Sequence, residues 1–293
     1  IPTCAKCGTT FPSTAAYTDM TPAAARTPTV GAGAAGAAAD APTPRLLPSL
    51  VRSLTQPPKQ GVFQSPLVSY LYERGWRANF AVAGSPGPAA EADAAIAWFL
   101  GAPVTDARRG RLVVDVSCGS GIVSRLLAAS PAVGRLVAVD LSAAMLREAA
   151  TRARSPAAGT VAATPRRRGG AASPAVVDPV DFTRVRADVG SLPFRSASVD
   201  AVHAGAALHC WPVVQDGLAE AARVLVPGGR VVATTFLNRG GNAPGGRWAP
   251  SWLPAGSALY RFFGPDELTR LFTVAGFVDV TVEVLGWYAI VRA

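Results

Sequence analysis

A doubly wound α/β fold is what this sequence predicts: seven strands, mostly parallel, with one antiparallel edge strand and helices ahead of the sheet. Three observations carry it. Beyond Gly110, short apolar runs alternate with helical patterns. One of those runs leads straight into a glycine-rich turn. The last two runs are separated by only a short connection, which makes one of them antiparallel.

Taken in order, residues 1–20 are a polar segment around Cys4-Ala-Lys-Cys7, and residues 21–61 are rich in Pro, Ala and Thr without periodicity. The first reads as part of a zinc-ribbon-like segment, the second as a flexible linker. Residues 62–109 read as a helical cap. Leu67, Val68, Leu71, Tyr72, Trp76 and Phe80 recur at helical spacing over 65–80, and a second helix spans 89–100 ahead of Pro103. The main domain covers 110–293. Its strand-like runs fall at 111–116, 135–139, 183–187, 198–204, 229–236, 277–283 and 285–291, and its helical patterns at 121–130, 143–153, 213–225 and 265–275. A Pro/Ala/Gly-rich insert at 155–178 has no periodic apolar face.

Composition narrows the class. A chain of 293 residues, 49% hydrophobic, buries a sizeable core and is not disordered throughout. No run of 18 apolar residues is present, so no membrane-spanning helix is expected. The chain starts without Met or a signal-peptide pattern, as a fragment or processed form would. The net charge is +9, and lysine occurs only at 6 and 59, so arginine supplies almost all the positive charge. Arg152, Arg154, Arg166, Arg167 and Arg168 cluster in or beside the insert, where a solvated segment is the plainer reading than a nucleic-acid face. Four cysteines are too few for a disulfide scaffold and fit a reducing compartment. Cys4 and Cys7 have zinc-ribbon spacing, but a closed site needs four ligands. Cys118 and Cys210 belong to other regions, so no bound metal is expected and Cys4/Cys7 read as half a site.

The chemistry centres on Leu112-Val-Val-Asp-Val-Ser-Cys-Gly-Ser-Gly121. A dinucleotide fingerprint has glycine at its first, third and sixth places, but counted from Ser117 the first place is a serine and the sixth, Ile122, is not glycine either. In a Rossmann-like sheet this turn lies at the carboxyl ends of the strands, where ligands bind. Gly119 and Gly121 permit close backbone approach. Asp140 ends the next strand and is placed to accept from ribose hydroxyls. Asp188 ends the strand after that. Its carboxylate is placed for an adenine amine, and the Val189 N–H for a ring nitrogen. Asp115 would repel a pyrophosphate but suit a cationic tail. The three acids therefore point to an adenosyl cofactor bearing positive charge, S-adenosylmethionine.

Four stretches resemble the class I S-adenosylmethionine-dependent methyltransferases. They are the turn just quoted, Val-Ala-Val-Asp-Leu-Ser-Ala-Ala-Met-Leu146, Arg-Ala-Asp-Val-Gly-Ser-Leu-Pro-Phe194 and Arg-Val-Leu-Val-Pro-Gly-Gly-Arg-Val-Val232. In the last, Pro227-Gly228-Gly229 suits a turn that sets up the next strand. Leu67-Val-Ser-Tyr-Leu-Tyr-Glu-Arg-Gly-Trp-Arg77 and Val199-Asp-Ala-Val-His-Ala-Gly-Ala-Ala-Leu-His-Cys-Trp-Pro212 narrow the resemblance to the uncharacterised chloroplast methyltransferases of plants and green algae. In that group serine also stands where Ser117 does. The resemblance implies that Leu141, Ala204 and Gly205 complete the cofactor site. It also implies a plastid setting, with association at lipid globules as one form of it.

His203 and His209 are the only histidines, and both fall at or just after the fourth strand of the predicted sheet. Each is a candidate general base or positioning group, and each is equally open to plain packing. Trp211, Trp248, Trp252, Tyr260 and Phe263 are candidates for an apolar substrate pocket, with loop anchoring as the alternative. The cap helices and the 245–263 insertion would close over the strand ends. The leading reading is a methyltransferase for a small apolar or aromatic acceptor, such as a quinone, isoprenoid or lipid. An RNA methyltransferase is the weaker alternative: the main domain lacks lysine and an Asn/Asp-Pro-Pro-aromatic motif. A non-catalytic cofactor-binding scaffold is the third.

Overall fold

The computed structural model describes residues 10–21, 77–153, 181–238 and 261–293. Its strands are β1 (Thr18–Asp19), β2 (Leu112–Val116), β3 (Arg135–Asp140), β4 (Asp181–Arg186), β5 (Val199–Ala204), β6 (Leu225–Phe236), β7 (Thr281–Leu285) and β8 (Tyr288–Arg292). Its helices are α1 (Pro88–Phe99), α2 (Ile122–Ala128), α3 (Ala143–Ala153), α4 (Val214–Val224) and α5 (Pro265–Val274), with short 3-10 turns at Arg77–Ala83 and Leu208–Cys210. The strands form one sheet in the order β1-β4-β3-β2-β5-β6-β8-β7.

The fold is the mostly parallel, doubly wound sheet that the alternation of elements predicts. All neighbours are parallel except at β8, which runs antiparallel to both β6 and β7 and inserts between them. The reversal of strand order falls between β2 and β5, so the loops after these strands flank a crevice at their carboxyl ends.

Alternation of side chains along the strands builds two apolar layers. On one face Val113, Leu136, Ala201, Val232 and Ile290 pack with Ala92, Ala95 and Phe99 of α1 and Val123 and Leu127 of α2. On the other, Val114, Val116, Val139, Val202 and Ala233 pack with Val214, Leu218 and Ala221 of α4 and Leu268 and Phe272 of α5. Each fully buried Leu or Phe contributes about 1.5–3 kcal/mol by leaving water.

Several details depart from expectation. An eighth strand, β1, lies outside the seven predicted. Thr18 and Asp19 pair with Val185 and Arg186, Asp19 forms an ion pair with Arg186 at 3.1 Å, and Arg184 donates to the Ala16 carbonyl at 2.7 Å. These contacts cover the edge that β4 would otherwise expose. Pro227-Gly228-Gly229 lies inside β6 as a bulge: pairing with β5 jumps from Val199–Leu225 to Ala201–Arg230, with Gly228 at φ 76°. The closing strands run later than predicted, because Phe277 turns into the core against Phe272, 5.4 Å between ring centres.

Only the end of the first cap helix is described, and it is a 3-10 turn. The second, α1, packs along a face of the sheet beside α2, because Ala92, Ala95 and Phe99 give it an apolar stripe. It does not lie across the strand ends as expected. The linker, the insert 155–178, Cys4 and Cys7, and Trp248, Trp252 and Tyr260 lie outside the described residues. No helix among the described residues is long and apolar enough to cross a membrane, and no group of His, Cys, Asp and Glu among them could hold a metal ion.

Candidate functional site

A cleft opens at the carboxyl ends of β2, β3, β4 and β5, lined by the turn after β2, the ends of β3 and β4, and the loop after β5. Of the residues singled out in the sequence, Ser117, Gly119, Asp140, Leu141, Asp188, Val189, Gly205 and Trp211 meet there. They come from distant stretches of chain because each follows a parallel strand, and parallel strands end on the same side of the sheet.

The turn after β2 is built from left-handed residues: Ser117, Gly119 and Gly121 have φ of 55°, 57° and 74°. Gly121 starts α2 and does not line the cleft. A Cβ there would stand 3.1 Å from Ala149 Cβ on α3, so glycine lets the two helices approach. Ser117 adopts this conformation without glycine's freedom, and its hydroxyl accepts a hydrogen bond from the Trp211 indole N–H at 2.9 Å. That bond ties the first turn to the loop after β5.

Asp140, half-buried on the cleft wall, accepts the Gly119 N–H at 2.8 Å and the Ser142 N–H at 2.7 Å, one on each oxygen. Burial pushes its carboxyl up to about 6, with the charge of Asp115 adding and the two N–H donors opposing. Asp188 accepts the Gly190 N–H at 2.9 Å. Each carboxylate oxygen keeps a further acceptor position, so both remain able to receive donors from a ligand.

Besides Gly121, the structure places five more of the named residues elsewhere. Asp115 is 2% exposed and does not face the cleft. The period of two along β2 turns it toward the helix layer, where it accepts from Ser124 Oγ and lies 2.8 Å from His203 Nδ1. His203 is buried on the same face. Burial would lower its pKa, but the charge and hydrogen bond of Asp115, followed by Glu91, outweigh that and push it up to about 9. His209 is buried beside Phe236, 4.8 Å between ring centres, with Thr235 Oγ1 at 3.4 Å, and burial pushes it down to about 3. Neither imidazole lines the cleft. Ala204 is buried in the core at the end of β5. Phe263 is also a core residue, fully buried, with Arg261 over its ring at 5.2 Å.

Sequence reasoning passed over other parts of the wall: Val139, Ser142, Met145, Ala187, Ala206, Ala207, Cys210 and Pro212. Cys210 stands one place before Trp211, which is the signal that could have found it. Burial, followed by the charge of Asp140, pushes its thiol up to about 12, so it stays protonated at neutral pH.

Comparison with known proteins bears on the family. Residues 114–233 match the family described as a methyltransferase domain. Two uncharacterised chloroplastic methyltransferases of Arabidopsis thaliana are similar to the chain. One is 40% identical over 225 residues, 74% of this chain and 55% of its own length. The other is 43% identical over 179 residues, 61% and 44% respectively. A malonyl-[acyl-carrier protein] O-methyltransferase of Hahella chejuensis is 32% identical over 127 residues, 43% of this chain and 37% of its own. The chain spans about half the length of the two Arabidopsis relatives. The matched domain and the two Arabidopsis relatives support a class I S-adenosylmethionine-dependent methyltransferase resembling the plant chloroplast ones.

Proposed function

We propose that the chain binds S-adenosylmethionine in this cleft and transfers its methyl group to a small apolar or aromatic acceptor. One observation carries the reading. Two carboxylates, Asp140 and Asp188, stand at the ends of successive strands beside a backbone turn that leaves the cleft open at Gly119. The residues present fit the cofactor. Asp140 would accept from the ribose hydroxyls, Asp188 and the Val189 N–H would read the adenine, and Leu141 would flank it. Ser117 and Gly205 would border the amino-acid tail and the methyl group.

When bound, the cofactor supplies a methyl group already activated on a sulfonium leaving group. The chain's own part is to bind, orient and exclude water, and proximity of this kind supplies much of a rate enhancement. Trp211, Pro212, Ala206 and Ala207 give the wall beyond Gly205 an apolar surface suited to an apolar acceptor. The protonated Cys210 thiol is a poor nucleophile, which speaks against methylation through a covalent cysteine adduct. His203 and His209, offered by the sequence as bases, lie behind the wall, so the chemistry does not draw on them directly. The Arabidopsis relatives support a plastid location.

The test is transfer of labelled methyl from S-adenosylmethionine to plastid metabolite extracts and to total RNA. Label in organic-soluble small molecules is the expected result. Label in RNA would replace this reading with the nucleic-acid enzyme, and tight cofactor binding without transfer to either would favour the scaffold.

A further inference from the structure

Behind the cleft wall lies a polar unit that the proposed chemistry does not use. Asp115 on β2 and His203 on β5 are register partners on neighbouring parallel strands, so both side chains leave the sheet on one face. Helix α1 brings Glu91 to the same place. His203 Nδ1 is 2.8 Å from Asp115 Oδ1, and Nε2 is 3.3 Å from Glu91 Oε1, an ion-pair distance off the line of a hydrogen bond. Ser124 donates to the other oxygen of Asp115. Thr234 on β6 donates to Glu91 Oε1 at 3.1 Å. The Tyr288 hydroxyl donates to Thr234 Oγ1 at 2.7 Å and lies 3.2 Å from Glu91 Oε2. All six side chains are at most 2% exposed. Burying two carboxylates is costly unless each is paired, and a protonated His203 between them meets that need.

This unit reaches the cleft through the backbone. The Ala206 N–H donates to Thr234 Oγ1 at 2.6 Å, and the Ala207 N–H to the Thr234 carbonyl at 3.2 Å. Ala206 has φ 48°, a left-handed conformation that alanine seldom adopts unless its surroundings enforce it. Gly205 crosses the unit so closely that an added Cβ would stand 2.6 Å from Glu91 Oε1 and 2.7 Å from His203 Cε1. Gly205, Ala206 and Ala207 all line the cleft, whereas none of the six polar side chains does.

We propose that Glu91, His203, Asp115 and Thr234 form a positioning unit that holds the 205–207 wall in the conformation that receives the cofactor. The proposal rests on the S-adenosylmethionine reading above. Coupling between the unit and the cleft is reciprocal, so binding on one side of the wall must be felt on the other.

The experiment uses the full chain and S-adenosylhomocysteine. Calorimetry compares wild type, Thr234→Val, Thr234→Ser and Glu91→Gln. Loss of a buried hydrogen bond that shapes the wall weakens binding about tenfold in Thr234→Val, with recovery in Thr234→Ser. Glu91→Gln, which keeps the shape and removes the charge, also weakens binding. With only two histidines in the chain, nitrogen NMR of labelled imidazoles reads His203 directly. Its titration midpoint should shift when the wild type is saturated with S-adenosylhomocysteine and should fall in Glu91→Gln. Wild-type affinity in both Thr234→Val and Glu91→Gln overturns the proposal alone. If Thr234→Val fails to fold, an unmoved His203 midpoint in the saturated wild type overturns it. No binding by the wild type overturns the cofactor reading, and the proposal falls with it.

Discussion

Ser117 holds two opposing effects that substitutions can separate. Its φ of 55° costs a non-glycine residue about 1–2 kcal/mol. Its hydroxyl satisfies the indole N–H of Trp211, a residue only 6% exposed, at 2.9 Å. Ser117→Ala keeps the backbone cost and leaves the indole unpaired, so it should destabilise the fold by about 1–3 kcal/mol. Ser117→Gly loses the same bond but relieves the backbone, an effect reduced by glycine's larger entropy loss of about 0.5–1 kcal/mol. The glycine variant should therefore be more stable than the alanine variant by about 0.5–1 kcal/mol, and still less stable than wild type. Trp211→Phe removes the bond from the other side. The serine hydroxyl it frees lines the cleft and can meet water, so its cost should be smaller, about 0.5–1.5 kcal/mol. Urea unfolding at neutral pH, with a common m-value across the series, measures all three. A glycine variant at or above wild-type stability would refute the hydrogen bond's contribution, and an alanine variant matching or exceeding it would refute the backbone argument.

His203, pushed up to about 9 in the fold, contributes stability that is complete below about pH 6.5 and is lost as pH rises through 9. Urea unfolding between pH 6.5 and 9 should show this decline, and His203→Gln should flatten it; an unchanged slope in the variant would remove the assignment. Gly205→Ala should cost about 1–3 kcal/mol, because the new methyl meets the paired Glu91 and His203 and not open cleft; a variant as stable as wild type would mean the wall relaxes freely. Cys210, with its thiol at about 12, should alkylate with iodoacetamide at pH 8 far more slowly than an unfolded cysteine, as read by peptide mass spectrometry; equal rates would contradict the raised pKa.

Much of the sheet was legible because its signals are local. Runs such as Leu112–Val116 and Val199–Ala204 are mostly apolar and are buried on both faces, as strands covered by helices on both sides are. The positions of Asp140 and Asp188 at the cleft follow from their places at the end of β3 and just beyond the end of β4. What escaped depends on contacts far apart in sequence. Asp115 reads as a residue facing a ligand until the parity of β2 is fixed, and parity is set by Val113 packing with α1 and α2. Glu91 sits in an alanine-rich helix where a charged residue suggests solvent, yet it is 1% exposed because His203, 112 positions later, arrives beneath it. The two-residue strand β1 carries no periodicity and is defined by its pairing with β4 and the Asp19–Arg186 ion pair. Phe263 has the composition of a pocket aromatic, but its backbone pairs with Leu237 and Asn238 beyond the end of β6, which takes the ring into the core.

The central claim is that the cleft holds an adenosyl cofactor through the two strand-end carboxylates. Calorimetric binding of S-adenosylmethionine to wild type, Asp140→Ala and Asp188→Ala tests it most directly. Each variant should lose about 1–3 kcal/mol of binding free energy, the cost of a hydrogen-bonded carboxylate. In the wild type, affinity should also fall as pH drops through about 6, where Asp140 takes up a proton. Wild-type affinity in both variants would contradict the account.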